Sequence, residues 1–323
     1  MIRWLLRRTG EAVLTAAVAV VVLIVLVHLL PGDPLAAILR DRPADPGVVA
    51  ALRERWGTDR SVLQQIAAFT NGLLHGDLGI SLSQQRPVLT LLAERLPPTL
   101  LLGALTLFID FTLGLALGVW SALHPDSWRA RVIGATAILG YALPSFVIGM
   151  VLTWVFAVKL HWLPAAGFSD PLLPTDAGAA AILADRLRHL ALPLTALVAA
   201  TVAVPLRQQR SASLAAAAQP WVLAARARGV RPGLIAWRHC WRPALTPIVT
   251  LLGLWLPMLV AGAIFVEYVF AWPGVGLLIA HATEDRDLPL VVGCGLVLIV
   301  VIQLGSLLAD VLYRIVDPGQ QTG

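Results

Sequence analysis

A charged side chain inside an apolar run is costly, so the first candidates for chemistry are the few acids that interrupt such runs. Asp110 lies near the middle of the run Pro98 to Leu123. An ionised side chain there costs about 2.5 to 3.5 kcal/mol on insertion scales, so it must face protein or water. It can serve a functional role by facing water or a cationic ligand group. It can equally make a buried hydrogen bond to Thr106 or to a neighbouring helix. Glu267, just past the run Leu245 to Val266, can reach the surface at that end or hold a structural or functional role within the fold. Asp310, near the end of the last run, stands one turn before Arg314, a spacing that puts both on one helix face.

Other reactive residue types form no constellation. The seven histidines, His28, His75, His124, His161, His189, His239 and His281, are scattered without the paired spacing a metal needs, so no metal site is expected. Cys240 and Cys294 fall in an expected loop and an expected span, which argues against a disulfide. There is no phosphate-binding glycine loop with a lysine and no nucleophile elbow, and Gly274-Val275-Gly276 reads as a turn. The sequence therefore points to a protein with no catalytic residue and no cofactor of its own.

The elements that carry these residues are set by hydropathy. Of 323 residues, 58% are hydrophobic and 13% charged, where a soluble chain has about half and roughly a quarter. A soluble surface needs more charge than this. A spanning helix needs roughly 20 mostly apolar residues. Six stretches qualify: Ala12 to Leu30, Pro98 to Leu123, Val132 to Val158, Leu190 to Leu206, Leu245 to Val266 and Leu288 to Leu312. The first follows Arg3, Arg7 and Arg8 but is too long for a signal peptide and lacks a small-residue cleavage site, so it reads as a retained helix. The reading is an all-α integral membrane protein with six transmembrane helices in a single domain, residues 1–323.

The net charge of +5 does not indicate nucleic acid, because the basic residues lie between apolar runs and form no stripe. They do set orientation. Segment 207–244 carries Arg207, Arg210, Arg226, Arg228, Arg231, Arg238 and Arg242 and no acid. Basic loops resist translocation, so this segment is expected in the cytosol, with both termini. The long segment 31–96 is then external. Within it, Val48 to Trp56 and Val62 to Leu74 have the spacing of short amphipathic helices.

The run from Trp221 to Pro247 is too regularly patterned for a connector. Ala224, Ala225 and Gly229 are small enough to admit another surface close to the backbone, and Gly229 can end a helix in the left-handed conformation. Arg231-Pro232 fits a fresh helix start, and Gly233 to Trp241 can form a short helix carrying Leu234, Ile235, Trp237 and Trp241. Arginines at lipid headgroups with tryptophans at the interface would be the ordinary explanation. A docking surface for a cytosolic partner is the other.

Here the sequence resembles the permease subunits of binding-protein-dependent ABC importers, of the dipeptide, oligopeptide and nickel type. Ala224-Ala225 with Gly229, followed by His239, Arg242, Ala244-Leu245 and Pro247, looks like their EAA loop, except that Leu223 stands at the glutamate position. Similar short matches run nearly end to end: Pro31-Gly32-Asp33-Pro34, Gly76-Asp77-Leu78-Gly79 with Ser81, Glu94-Arg95-Leu96-Pro97 with Thr99, Arg188-His189-Leu190, Phe265-Val266-Glu267, and Trp272-Pro273-Gly274-Val275-Gly276. The resemblance implies a coupling helix near Val230 to Trp241, seated on an ATPase. Ala224, Ala225, Arg228, Gly229, Leu234, Trp237, His239 and Arg242 become the expected coupling residues, with Asp110 and Glu267 as pathway or gating candidates. It implies a second homologous permease subunit, two cytosolic ABC ATPases, an external solute-binding protein and a cell inner membrane location. The solute would be a di- or oligopeptide, with nickel chelate or another small solute as the alternative. A secondary transporter is the competing class, and the lack of a second repeat half weighs against it.

Overall fold

The computed structural model describes residues 2–29, 61–174, 176–235, 238, 241, 255, 260 and 262–316. The expected helix Val48 to Trp56, the motif at Pro31 to Pro34 and most of the run Leu245 to Val266 lie outside them. Among the described residues regular structure is helical, apart from one isolated bridge between Ile80 and Pro87.

Helix α1 (Ile2–Leu29) contains the first apolar run as far as Leu29. Val13, Leu14 and Leu26 are more than half exposed, an arrangement stable only where the surrounding solvent is lipid. Helix α2 (Val62–Leu74) has the bounds expected from its spacing. Its start is fixed by a reciprocal cap, in which Gln64 N–H donates to Ser61 Oγ and Ser61 N–H donates to Gln64 Oε1.

Helix α3 (Val88–Leu123) runs for 36 residues, about 54 Å at 1.5 Å per residue, and so extends beyond a hydrocarbon core of about 30 Å. The third run is not one straight span. It divides into α4 (Trp128–Ala142) and α5 (Ser145–Leu152), the latter continued by π-helical turns at Thr153–Lys159. The two parts are bent by 106°. Pro144 has no N–H to return to Gly140 and forces Leu143 out of the helical region, to φ −96 and ψ 137.

The fourth run is also displaced and broken. The helix starts earlier than expected, as α6 (Ala179–Thr201), and continues as α7 (Ala203–Ala217) after a 41° bend. Pro205 cannot donate to the Thr201 carbonyl, and the Thr201 hydroxyl turns back 2.7 Å to Leu197 O. The loop helices α8 (Pro220–Ala227) and α9 (Pro232–Ile235) follow. Residues 262–269 are helical, and α10 (Val275–Glu284) and α11 (Leu288–Val316) close the described chain. By length and apolar character three of these helices can cross a membrane, or up to five if each bent pair counts as one span.

The chain forms two compact units. One comprises the chain up to Thr99 with Pro273–Gln303. In it, Leu78, Val88, Leu91 and Leu92 are buried, and a side chain at Gly293 would strike Val88 and approach Leu78 and Leu92. The other comprises Leu100–Trp272 and the chain from Leu304 onward. Its core gathers Leu102, Leu190, Leu192, Leu197, Val266, Phe270 and Trp272. There α4 and α6 meet backbone to backbone, since a Cβ on Gly140 would overlap the carbonyl of Ala199.

Candidate coupling and pathway sites

Three sites have the buried polar groups or ordered exposed surfaces that function needs. The first is the loop after α7. Proline at Pro220 starts α8 without losing a bond, because the first N–H groups of a helix have no partner. The helix runs only to Ala227, and Gly229 stops it. At φ 76 this residue is left-handed, its N–H donates to Arg226 O at 2.9 Å, and Val230 N–H donates to Ala225 O at 3.1 Å. Those two bonds are a Schellman cap. Its usual apolar contact is present as well, with Val230 packed against a small core of Val222, Ala225 and Ile235. Arg231 O then accepts the N–H groups of Leu234 and Ile235, which opens α9.

This local core sorts the expected coupling residues. Ala225 is 1% exposed, so its methyl serves internal packing. Ala224, Arg228, Gly229 and Leu234 are exposed. Trp237, His239 and Arg242 lie outside the described residues. On α8, Leu223, Ala224 and Ala227 occupy the face opposite Val222 and Ala225, as helical spacing requires. Leu223, at the departure from the EAA pattern, is 54% exposed and Trp221 52%. The result is a rigid apolar strip bordered by Arg226, Arg228 and Arg231, with the Arg228 side chain hydrogen-bonded to Ala224 O at 3.2 Å. Behind the loop, Gly233 and Trp241 close a cavity of about 670 Å³ against the apolar face Phe111, Leu115, Val119 and Leu123 of α3.

The second site is Asp110. It is fully buried, and Trp255 Nε1 donates to its Oδ2 at 3.4 Å. Thr106, the expected local partner, instead donates to Leu102 O at 2.8 Å. A threonine one turn back satisfies its own helix more easily than a neighbour on the same face. Of the two structural partners expected for Asp110, the structure therefore supplies the neighbouring helix. Glu267 is fully buried rather than at a surface, and its carbonyl accepts Trp272 N–H at 2.8 Å. The side chain of Arg314, expected beside Asp310, is outside the described residues.

The third site centres on Asp287. It is fully buried and caps α11, its Oδ1 accepting Leu290 N–H at 3.2 Å. Its Oδ2 accepts Ser81 Oγ at 2.6 Å, Ser83 N–H at 2.9 Å and Ser83 Oγ at 2.9 Å. Nearby, Thr99 Oγ1 accepts Val275 N–H at 2.8 Å and so caps α10. Arg86 makes two hydrogen bonds to Glu94, and that carboxylate holds the guanidinium above its ordinary range. An aspartate directly before the Leu-Pro of a helix start was the available signal for the cap; nothing local announced the serines. Among the described residues no three His, Cys, Asp or Glu side chains converge as metal ligands.

Apolar helices long enough to cross a membrane suit a transport subunit, and comparison with known families identifies the type. Residues 114–322 match the family described as binding-protein-dependent transport system inner membrane component, and residues 1–103 match its N-terminal region. The chain belongs to this family of inner-membrane permease subunits of ABC importers. It is 36% identical over 320 residues, 98% of each chain, to a Brucella ovis protein named as a peptide permease. It is 34% identical over 318 residues, again 98% of each, to the glutathione transport system permease protein GsiC of Pectobacterium atrosepticum. The GsiC of Salmonella typhimurium is 33% identical over the same length.

Proposed function

We propose that this chain forms half of the translocation pathway of an ATP-driven importer for peptide-like solutes, and that α8, the Gly229 turn and α9 are its seat for a cytosolic ATPase. The observation that carries this reading is the strip Leu223, Ala224 and Ala227. A rigid apolar strip within an arginine-only segment suits a protein partner, because apolar side chains exposed to water gain from being covered. The names of the Brucella and Pectobacterium relatives support a small peptide or glutathione as solute.

In this account the chain has six spans, the two bent pairs counting as one each and residues 245–266 supplying the fifth. Segment 31–96 is external, segment 207–244 and both termini are cytosolic, and a second permease, two ATPases and a solute-binding protein complete the assembly. ATP binding draws the ATPases together and moves the strip, which shifts the helices between inward-open and outward-open states. Asp110 and Glu267 act within the helical body, as pathway or gating groups. No step requires a catalytic side chain here. Replacing Gly229 by tryptophan tests the reading: the variant inserts and assembles, yet ATP hydrolysis no longer drives solute uptake. Uptake at the wild-type rate would contradict it.

A further inference from the structure

Residues four apart share one helix face, and Phe111, Leu115, Val119 and Leu123 line the cavity behind the loop as one such row. The row covers about 18 Å of α3 at 1.5 Å per residue. One leaflet of a hydrocarbon core of about 30 Å is about 15 Å deep, so the cavity has the depth of a leaflet. Trp120 and Trp241 line the same cavity, and indoles gather where hydrocarbon meets headgroups.

The lining decides what can occupy this space. Its side chains are almost wholly hydrocarbon, so a peptide-like solute or a water molecule finds too few hydrogen-bond partners there. A further spanning helix is about 10 Å wide, and about 18 Å of it fills roughly 1,400 Å³, twice the cavity's volume of about 670 Å³. An acyl chain is far thinner and brings no polar group to satisfy. At the loop end, Arg231 stands two residues before Gly233 and Arg238 three before Trp241; both are exposed, and segment 207–244 holds no acid. A guanidinium grips phosphate through paired hydrogen bonds. We infer that the cavity takes one acyl chain of an anionic phospholipid of the cytosolic leaflet, with its phosphate held by Arg231 and Arg238. So seated, the lipid ties α3 to the loop. The inference rests on the reading of this loop as cytosolic.

The test uses membrane vesicles carrying the full transporter with its ATPases bound, and phosphatidylglycerol with a photoreactive diazirine midway along one acyl chain, exchanged into the accessible leaflet. Labelled peptides are read by mass spectrometry after irradiation. In inside-out vesicles the expected result is labelling between Phe111 and Leu123, at least five-fold above that given by the same probe with a choline headgroup. Leu115→Trp fills the cavity and should lower the label at least five-fold. Arg231→Gln combined with Arg238→Gln, at exposed positions where folding is undisturbed, should lower it as much. Equal labelling by the two headgroups, or no loss in the arginine variant, reduces the site to ordinary lipid contact and overturns the inference while the permease reading stands. Label in the isolated chain that disappears in the assembled transporter shows a protein partner in the cavity and overturns it as well. Labelling only in right-side-out vesicles overturns the sidedness on which it rests.

Discussion

Ser81 Oγ donates a 2.6 Å hydrogen bond to Oδ2 of Asp287, a residue 206 positions later. The carboxylate thus fastens the turn before α3 while capping α11 through Leu290. Replacing Asp287 by alanine strands Ser81, Ser83 and the first turn of α11 together. At about 1 to 3 kcal/mol per buried unsatisfied group, partly relieved by water, the variant should lose roughly 2 to 4 kcal/mol. Ser81→Ala removes one donor and should lose about 1 kcal/mol. Thermal unfolding of the purified chain in detergent gives both values, and equal losses would show that Asp287 does not serve as the shared acceptor.

Asp110 presents a different balance. Asparagine keeps an acceptor for Trp255 Nε1 and nearly the same volume, so Asp110→Asn should be stable. Asp110→Ala leaves the indole N–H without its acceptor and opens a small void, at a cost of about 1 to 3 kcal/mol. Melting temperatures measure this part. Solute uptake separates the roles: a pathway carboxylate requires Asp110→Asn to transport at less than a tenth of the wild-type rate, whereas a purely structural one leaves it near normal.

Legibility in the sequence varied with the range of the interaction. The bounds of α2 were readable because the apolar spacing of Val62 to Leu74 is a local pattern, and the cap that fixes its start joins residues only three apart, Ser61 and Gln64. The Gly229 turn was readable because only glycine adopts that backbone without strain. Hydropathy merged α4 and α5 into one span, since an apolar average is indifferent to direction; the bend was encoded only by Leu143-Pro144. The inward methyl of Ala225 could not be separated from the outward one of Ala224 without knowing which face packs on Ile235. The pairing of Ser81 with Asp287 joins positions so distant that no local pattern reports it.

Close helix contact at Gly140 gives a sharper mechanical test. Any Cβ there meets the Ala199 carbonyl, and a backbone cannot rotate away as a flexible side chain can. Gly140→Ala should cost about 1 to 3 kcal/mol. Gly134→Ala on the same helix has open space around its Cβ and replaces a poor helix former, so it should gain up to about 1 kcal/mol. Parallel melting curves of the two variants check the contrast.

At Gly229 the space is open but the backbone is not permissive. Alanine fits sterically yet must adopt φ 76, a penalty of about 1 to 2 kcal/mol against the Schellman cap. Asparagine tolerates that conformation better. The ratio of solute imported to ATP hydrolysed should fall in the order glycine, asparagine, alanine. A ratio that ignores the substitution would detach the cap from coupling.

The central claim is that the strip on α8 faces the cytosol and is covered by an ATPase. A chain with Cys240→Ser, Cys294→Ala and Leu223→Cys tests it directly through reaction with a membrane-impermeant maleimide. The account predicts labelling in inside-out vesicles stripped of ATPase, protection when the ATPases are restored, and none in intact cells. Labelling from outside intact cells, or full labelling with the ATPases bound, would contradict it.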